Sequence, residues 1–120
     1  MRYFTFQPQF HQPILAGVKQ STIRPKPKVS VGERFALRYW TGKPYRSPMG
    51  ILGTAECLAV SAFQIDPFGI KIDGKWYNHE ARIARREGFE SVWAMRKWFM
   101  DNHGEIFAGF IHSWTAFLPN

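Results

Sequence analysis

The stretch ILAGVKQSTIR, residues 14 to 24, sets an ammonium, a hydroxyl and a guanidinium close together: Lys19, Thr22 three positions on, and Arg24 two beyond that. In an extended strand side chains alternate with period two, so Thr22 and Arg24 share a face. Lys19 comes just after Gly17, a residue suited to ending a helix, and from that bend it can lean over the same face. A threonine hydroxyl is a weak nucleophile until a base takes its proton. A lysine can be that base only where burial or neighbouring cations lower its pKa from about 10.4, and Arg24 is such a neighbour. Plainer readings exist for each residue: Lys19 against the last carbonyls of a helix, and Thr22 as a strand former.

The half of the chain that carries this bend is strongly basic. The net charge is +7, from 16 Lys and Arg against 9 Asp and Glu. Residues 1 to 50 hold nine bases (Arg2, Lys19, Arg24, Lys26, Lys28, Arg34, Arg38, Lys43, Arg46) and one acid, Glu33, while the rest hold seven bases and eight acids. Such a face attracts phosphates and steers a polyanion, although charge also serves plain solubility. Arg24, Lys26, Arg38, Lys43 and Arg46 are expected to form one positive surface for nucleic acid. Trp40, Tyr45 and Trp76 are available to stack on a base, a contact worth about 1 to 3 kcal/mol. Trp93, Trp98 and Trp114 read as core, and His112, on the same side of its strand as Trp114, reads as a hydrogen-bonded core histidine.

The elements that must position these residues follow from periodicity. Tyr3 to Phe6, Gln20 to Arg24 and Arg34 to Trp40 alternate like strands. Between the first two, Pro8 opens a helix, Phe10, Ile14 and Leu15 share its face, Pro13 must sit early in it, and Gly17 closes it. Pro25 and Pro27 keep the following residues extended. Thr41 to Met49 is rich in Gly, Ser and Pro and reads as a loop, basic and aromatic through Lys43, Tyr45 and Arg46. Ile51 to Phe63 suits a long curving strand with Gly53 as a bulge, and Asp73-Gly74 joins Gly69 to Ile72 and Lys75 to Tyr77 as a hairpin. A helix runs from Glu80 to Gly88. A second opens near Ser91, carries Val92, Met95, Trp98 and Phe99 on one stripe, and stops at His103-Gly104. Ile106 to Phe117 returns to alternation. Mixed strands with inserted helices point to an α+β fold, a small barrel of one domain spanning residues 1 to 120.

Other classes are excluded. Hydrophobic residues make up 45% and charged residues 21% of the chain, too apolar for disorder. A single cysteine, Cys57, cannot make an internal disulfide, and no histidine stands at zinc-finger spacing from it, so neither metal nor cofactor is expected. No apolar run reaches the roughly 20 residues of a membrane helix and no signal-peptide core opens the chain, which makes a cytoplasmic setting the default.

The ordered set ILAGVKQSTIR, VGERFALRYWTG, AxREGF before a helix ending in WF, and the final FAGFIHSW resembles the ASCH superfamily over nearly the whole chain. That resemblance implies a PUA-like β-barrel with inserted helices and an association with RNA. Within the superfamily the chain is similar to small bacterial amidohydrolases that deacylate N4-acetylcytidine. Carried over, their motif implies Lys19 as proton acceptor, Thr22 as nucleophile and Glu87 of REGF as proton donor. Gln20 and Ser21 replace residues usual in those enzymes. Phe89 and Trp93 are expected to give Glu87 a partly apolar surrounding that raises its pKa. The partner is then RNA or a modified nucleoside. Three functions stay open: amide hydrolysis on an acylated cytidine, RNA binding without chemistry, and cleavage of single-stranded RNA.

Overall fold

Strands form where aromatic and β-branched residues alternate. In the computed structural model, which describes residues 1 to 120, β1 (Tyr3–Thr5), β2 (Ser21–Arg24), β3 (Arg34–Trp40), β4 (Met49–Asp66), β5 (Gly69–Ile72), β6 (Lys75–Tyr77) and β7 (Phe107–Pro119) join in one sheet. A 3₁₀ turn at Pro8–Phe10 leads into α1 (His11–Leu15), and α2 (Glu80–Arg86) and α3 (Val92–His103) lie between β6 and β7. Pro13 falls in the first turn of α1, where its missing N–H would have had no helical partner. Asp73 and Gly74 both take left-handed backbone angles, φ 51° and 79°, as the two-residue hairpin turn requires. Ser91 caps α3 by accepting the Ala94 N–H at 3.0 Å. No helix is long and apolar enough to cross a membrane.

The long strand β4 organises the sheet. Its first half pairs with β3 and its last residues with β5 along one edge, while β7 runs antiparallel along the other. Two register shifts against β7, between Thr54 and Glu56 and between Cys57 and Ala59, bend it so that its halves serve different cores. In the first, Phe4, Phe35, Leu37, Cys57 and Trp114 pack inside the curl of β1, β3, β4 and β7. In the second, Met95 and Phe99 of α3 and Ile83 of α2 pack on Phe63, Ile70 and Phe107.

The expected closed barrel does not form. β1 pairs only with β3, and β2 pairs only with β7, so the curled sheet stays open between those two edges. The reason is what the edges carry. Charged and aromatic side chains occupy the gap, and Arg24 of β2 donates Nη2–H to the Thr5 carbonyl of β1 at 2.7 Å, one side-chain bond in place of a strand ladder.

Candidate functional site

The open seam deepens into a cleft of about 570 Å³. Lys19, Thr22, Arg24 and Glu87 line it, with Trp40 from the end of β3, Tyr45 from the loop after it, and Trp98, Phe99, Asn102 and His103 from the last turns of α3.

Backbone contacts bring the first group together. The Gln20 N–H donates to the Arg86 carbonyl at 2.8 Å, which ties the start of β2 to the end of α2. The Lys19 Nζ donates to the Glu87 carbonyl at 2.6 Å and lies 3.5 Å from the Glu87 carboxylate, and both side chains are buried. Lys19 thus serves a helix C-terminus, that of α2, and is ion-paired there. Gly88 makes room for it. With φ 90° and no side chain, Gly88 packs where a Cβ would meet the Lys19 Cδ at 3.1 Å and Phe10 at 3.3 Å. Ser21, buried beside them, donates its hydroxyl to the second Glu87 carboxylate oxygen. Phe10, with its ring 4.7 Å from the Lys19 Nζ, and Phe6 at 5.7 Å complete the apolar surround.

Electrostatics follow from burial. Desolvation pushes the Lys19 ammonium down to about 8, against the pull of the Glu87 carboxylate, and the Arg24 charge lowers it further. Burial also lowers Arg24, to about 10, with Glu87 opposing. The Thr22 hydroxyl accepts from Arg24 Nε at 3.0 Å, which leaves its own proton free, while the Lys19 ammonium is held by Glu87. His103 also lines the cleft, with its ring 4.5 Å from Phe107, and desolvation lowers its pKa, which favours the neutral ring.

Lys19, Thr22 and Glu87 therefore share one cleft, as do Arg24, Trp40 and Tyr45. Tyr45 stands at the loop tip in a left-handed conformation, φ 63°, with its ring 5.1 Å from Trp40. Lys26, Lys43 and Arg46 are exposed and lie outside the cleft lining, and Arg38 lies on β3 with its guanidinium 5.6 Å from the Tyr3 ring. Trp76 is exposed on the far hairpin, stacked by Lys71. Trp114 is core, as expected, but Trp93 is 72% exposed and contributes nothing to the surroundings of Glu87. Its stripe neighbour Trp98 does so instead, with Phe89 and Phe10. His112 is fully buried and accepts the Lys28 backbone N–H at 3.2 Å. The wall from α3 and the Ser21 contact were not foreseen. The helical stripe of Val92, Met95, Trp98 and Phe99 marks a buried face without saying which end of it stays open.

No family model matches the chain, and no curated protein does. Solved structures do match. The crystal structure of ASCH from Zymomonas mobilis superposes with a TM-score of 0.59 at 19% identity, over 98% of this chain and 68% of that one. Tyr-to-Phe and Ser-to-Ala variants of the same protein give 0.57 and 0.55 at 18% and 19% identity, over 98% of this chain and 70% and 68% of theirs. The fold of this chain is of the ASCH type.

Proposed function

We propose that the cleft receives the base of an acylated cytidine and hydrolyses its exocyclic amide. The observation that carries this reading is Lys19: a buried amine with pKa about 8, paired with a carboxylate, in one cleft with a threonine hydroxyl. With that pKa about one Lys19 in ten is neutral at pH 7, against roughly one in three thousand for an unshifted lysine. The aromatic rings of Trp40, Tyr45 and Trp98 offer faces for a planar base.

In this reading Lys19 accepts the Thr22 hydroxyl proton as the oxygen attacks the amide carbon. Bound substrate draws the two side chains together, since catalytic hydrogen bonds tighten only in the complex. The new ammonium passes its proton to Glu87 across their existing contact, and Glu87 delivers it to the departing ring amine, so protons balance. Water, deprotonated by Lys19, then frees the acyl group from Thr22 and restores the site. Arg24, bonded to Thr22, orients the hydroxyl.

Incubation with N4-acetylcytidine tests this directly: release of cytidine and acetate is expected, and Thr22→Val should abolish it while Thr22→Ser keeps part. Equal turnover by Thr22→Val would transfer the chemistry to a lysine-activated water. A second reading, binding or cleavage of single-stranded RNA, is favoured by the nine-to-one excess of bases over acids in residues 1 to 50. Labelled single-stranded RNA in the same incubation separates the two, with retained or fragmented RNA and intact acetylcytidine supporting the second.

A further inference from the structure

Beside the catalytic cluster, and sharing Arg24 with it, three cations gather around the Tyr3 and Phe4 rings of β1. Lys28 Nζ lies 4.7 Å from the centre of the Tyr3 ring and 5.6 Å from that of Phe4. The Arg38 guanidinium is 5.6 Å from Tyr3, and that of Arg24 is 4.9 Å from Phe4. None of the three forms a salt bridge, because the acids of this region are engaged elsewhere: Glu33 with Arg2 at 3.4 Å, and Glu87 with Lys19. Arg38 Nε is buried and donates to nothing. A guanidinium N–H sealed from water without an acceptor is costly, and three like charges in one place repel each other. The strain shows at Lys28, whose pKa is lowered first by desolvation and then by the Arg24 charge.

This arrangement is held in place. Pro25 and Pro27 stiffen the segment that carries Lys28, and the His112 ring pins its backbone N–H. Thr5 is registered with Arg38 across β1 and β3, and the Thr5 carbonyl takes the Arg24 hydrogen bond. Arg24 belongs to both places, since its Nε reaches Thr22 inside the cleft. An anion bound here would supply the missing acceptors and sit beside the reacting hydroxyl. Three cations, two of them planar forks, suit the several oxygens of a phosphate better than a single carboxylate.

We infer that Arg24, Lys28 and Arg38, arranged around the neighbouring rings of Tyr3 and Phe4, form a phosphate subsite, so that the cleft takes a cytidine carrying a phosphate, as a nucleotide or within an RNA strand, in preference to a free nucleoside. This deepens the reading of the cleft as a cytidine site and rests on it. Titration of the protein with cytidine, its 5′- and 3′-monophosphates and a short cytidine-containing oligonucleotide, at 50 and 200 mM salt, tests the idea. At least one phosphorylated ligand should bind tenfold or more tightly than cytidine, with a margin that shrinks in the higher salt. Lys28→Ala and Arg38→Gln should each reduce that margin severalfold, whereas Lys75→Ala, a cation removed from the far hairpin, should not.

Equal affinity for cytidine and all phosphorylated ligands overturns the subsite, and so does a margin lost equally in Lys75→Ala, which would make it an effect of net charge. Turnover keeps this distinct from the amidohydrolase reading. Hydrolysis of N4-acetylcytidine that is no faster with a phosphate attached sinks the subsite alone. A phosphate margin in the absence of any hydrolysis sinks the catalytic reading alone.

Discussion

The two cores of the molecule differ in what they bury. Beneath α2 and α3 the packing is apolar, Phe63, Ile70, Met95, Phe99 and Phe107 with no buried charge among them. At the seam lie all the buried polar and charged residues of the chain: Lys19, Ser21, Thr22, Glu87 and His112. Both regions draw on the same long strands, so strand propensity does not separate them. The separation comes from the edges of the sheet. Where β4, β5 and β7 pair fully, helices cover one face and nothing polar is left over. Where β1 and β2 stop short of each other, side chains must satisfy what a ladder would have satisfied, and charged groups settle in a partly dry space. The groups proposed for chemistry, Lys19, Thr22 and Glu87, all lie in the second region.

The largest effect should come from splitting the buried ion pair. Lys19→Met leaves the Glu87 carboxylate sealed without its cation, and breaking such a pair typically costs about 3 to 5 kcal/mol. Denaturant unfolding should show that loss together with loss of turnover. The double variant Lys19→Met/Glu87→Met removes both charges and should recover most of the stability while remaining inactive. If the double variant is as unstable as the single one, the pair matters for packing more than for charge, and the contrast between the two cores weakens.

Met95→Ala probes the other region. Met95 is fully buried among Phe63, Phe99 and their neighbours, and deleting such a side chain typically costs about 2 to 5 kcal/mol. Ligand affinity and the pH profile should stay as in the parent. A shift in either would show that the apolar core sets the geometry of the cleft.

Titration gives a third handle, with a sign opposite to that of an ordinary salt bridge. The Lys19 pKa is about 8 in the folded protein and 10.5 as the reference for the unfolded chain. Between those values the unfolded state binds more protons, so stability rises with pH from about 8 to 10.5, by roughly 3 kcal/mol from this group. The penalty is fully present below pH 8 and gone above 10.5. Subtracting the curve of the Lys19→Met/Glu87→Met variant isolates the contribution. Turnover, if Lys19 is the base, should climb toward a plateau above pH 8, and Glu87→Gln, which removes both the proton relay and the charge holding the proton on Lys19, should lower turnover at every pH and move the limb of what remains to lower pH.

Local pattern carried much of this architecture in readable form. The alternation of Arg34 to Trp40, the Asp73-Gly74 turn and the His103-Gly104 stop each correspond to an element or its end. The placing of Lys19, Thr22 and Glu87 in one cleft was legible only through resemblance, because spacing joins the first two and leaves Glu87 more than sixty residues away. Closure was misjudged for a physical reason. Alternation shows that a segment can pair but not whether its outer edge finds a partner, and β1 and β2 do not. Trp93 and Trp98 show a similar limit: both are large and apolar on one helix, yet Trp93 faces solvent and Trp98 the cleft. The cations around Tyr3 and Phe4 were counted in the basic half, but that none of them forms a salt bridge appears only once Arg2 and Lys19 are seen to hold Glu33 and Glu87.

The smallest effect belongs to the far end of α3. Ser91 accepts the Ala94 N–H at 3.0 Å, and replacing such a cap with alanine typically costs about 1 kcal/mol. Ser91→Ala should therefore lower unfolding stability by that amount and leave turnover and the preference for phosphorylated ligands untouched. The cleft is lined by Trp98, Phe99, Asn102 and His103 at the opposite end of the helix, and Met95 and Phe99 anchor the turns between. Fraying of the first turn, set off by the loss of one bond, should die out before those anchors. If turnover falls with stability in Ser91→Ala, fraying reaches through the helix to its last turns, and the two regions act as one unit. If only stability falls, the anchors insulate the cleft, and the first turn of α3 can be altered without disturbing the site.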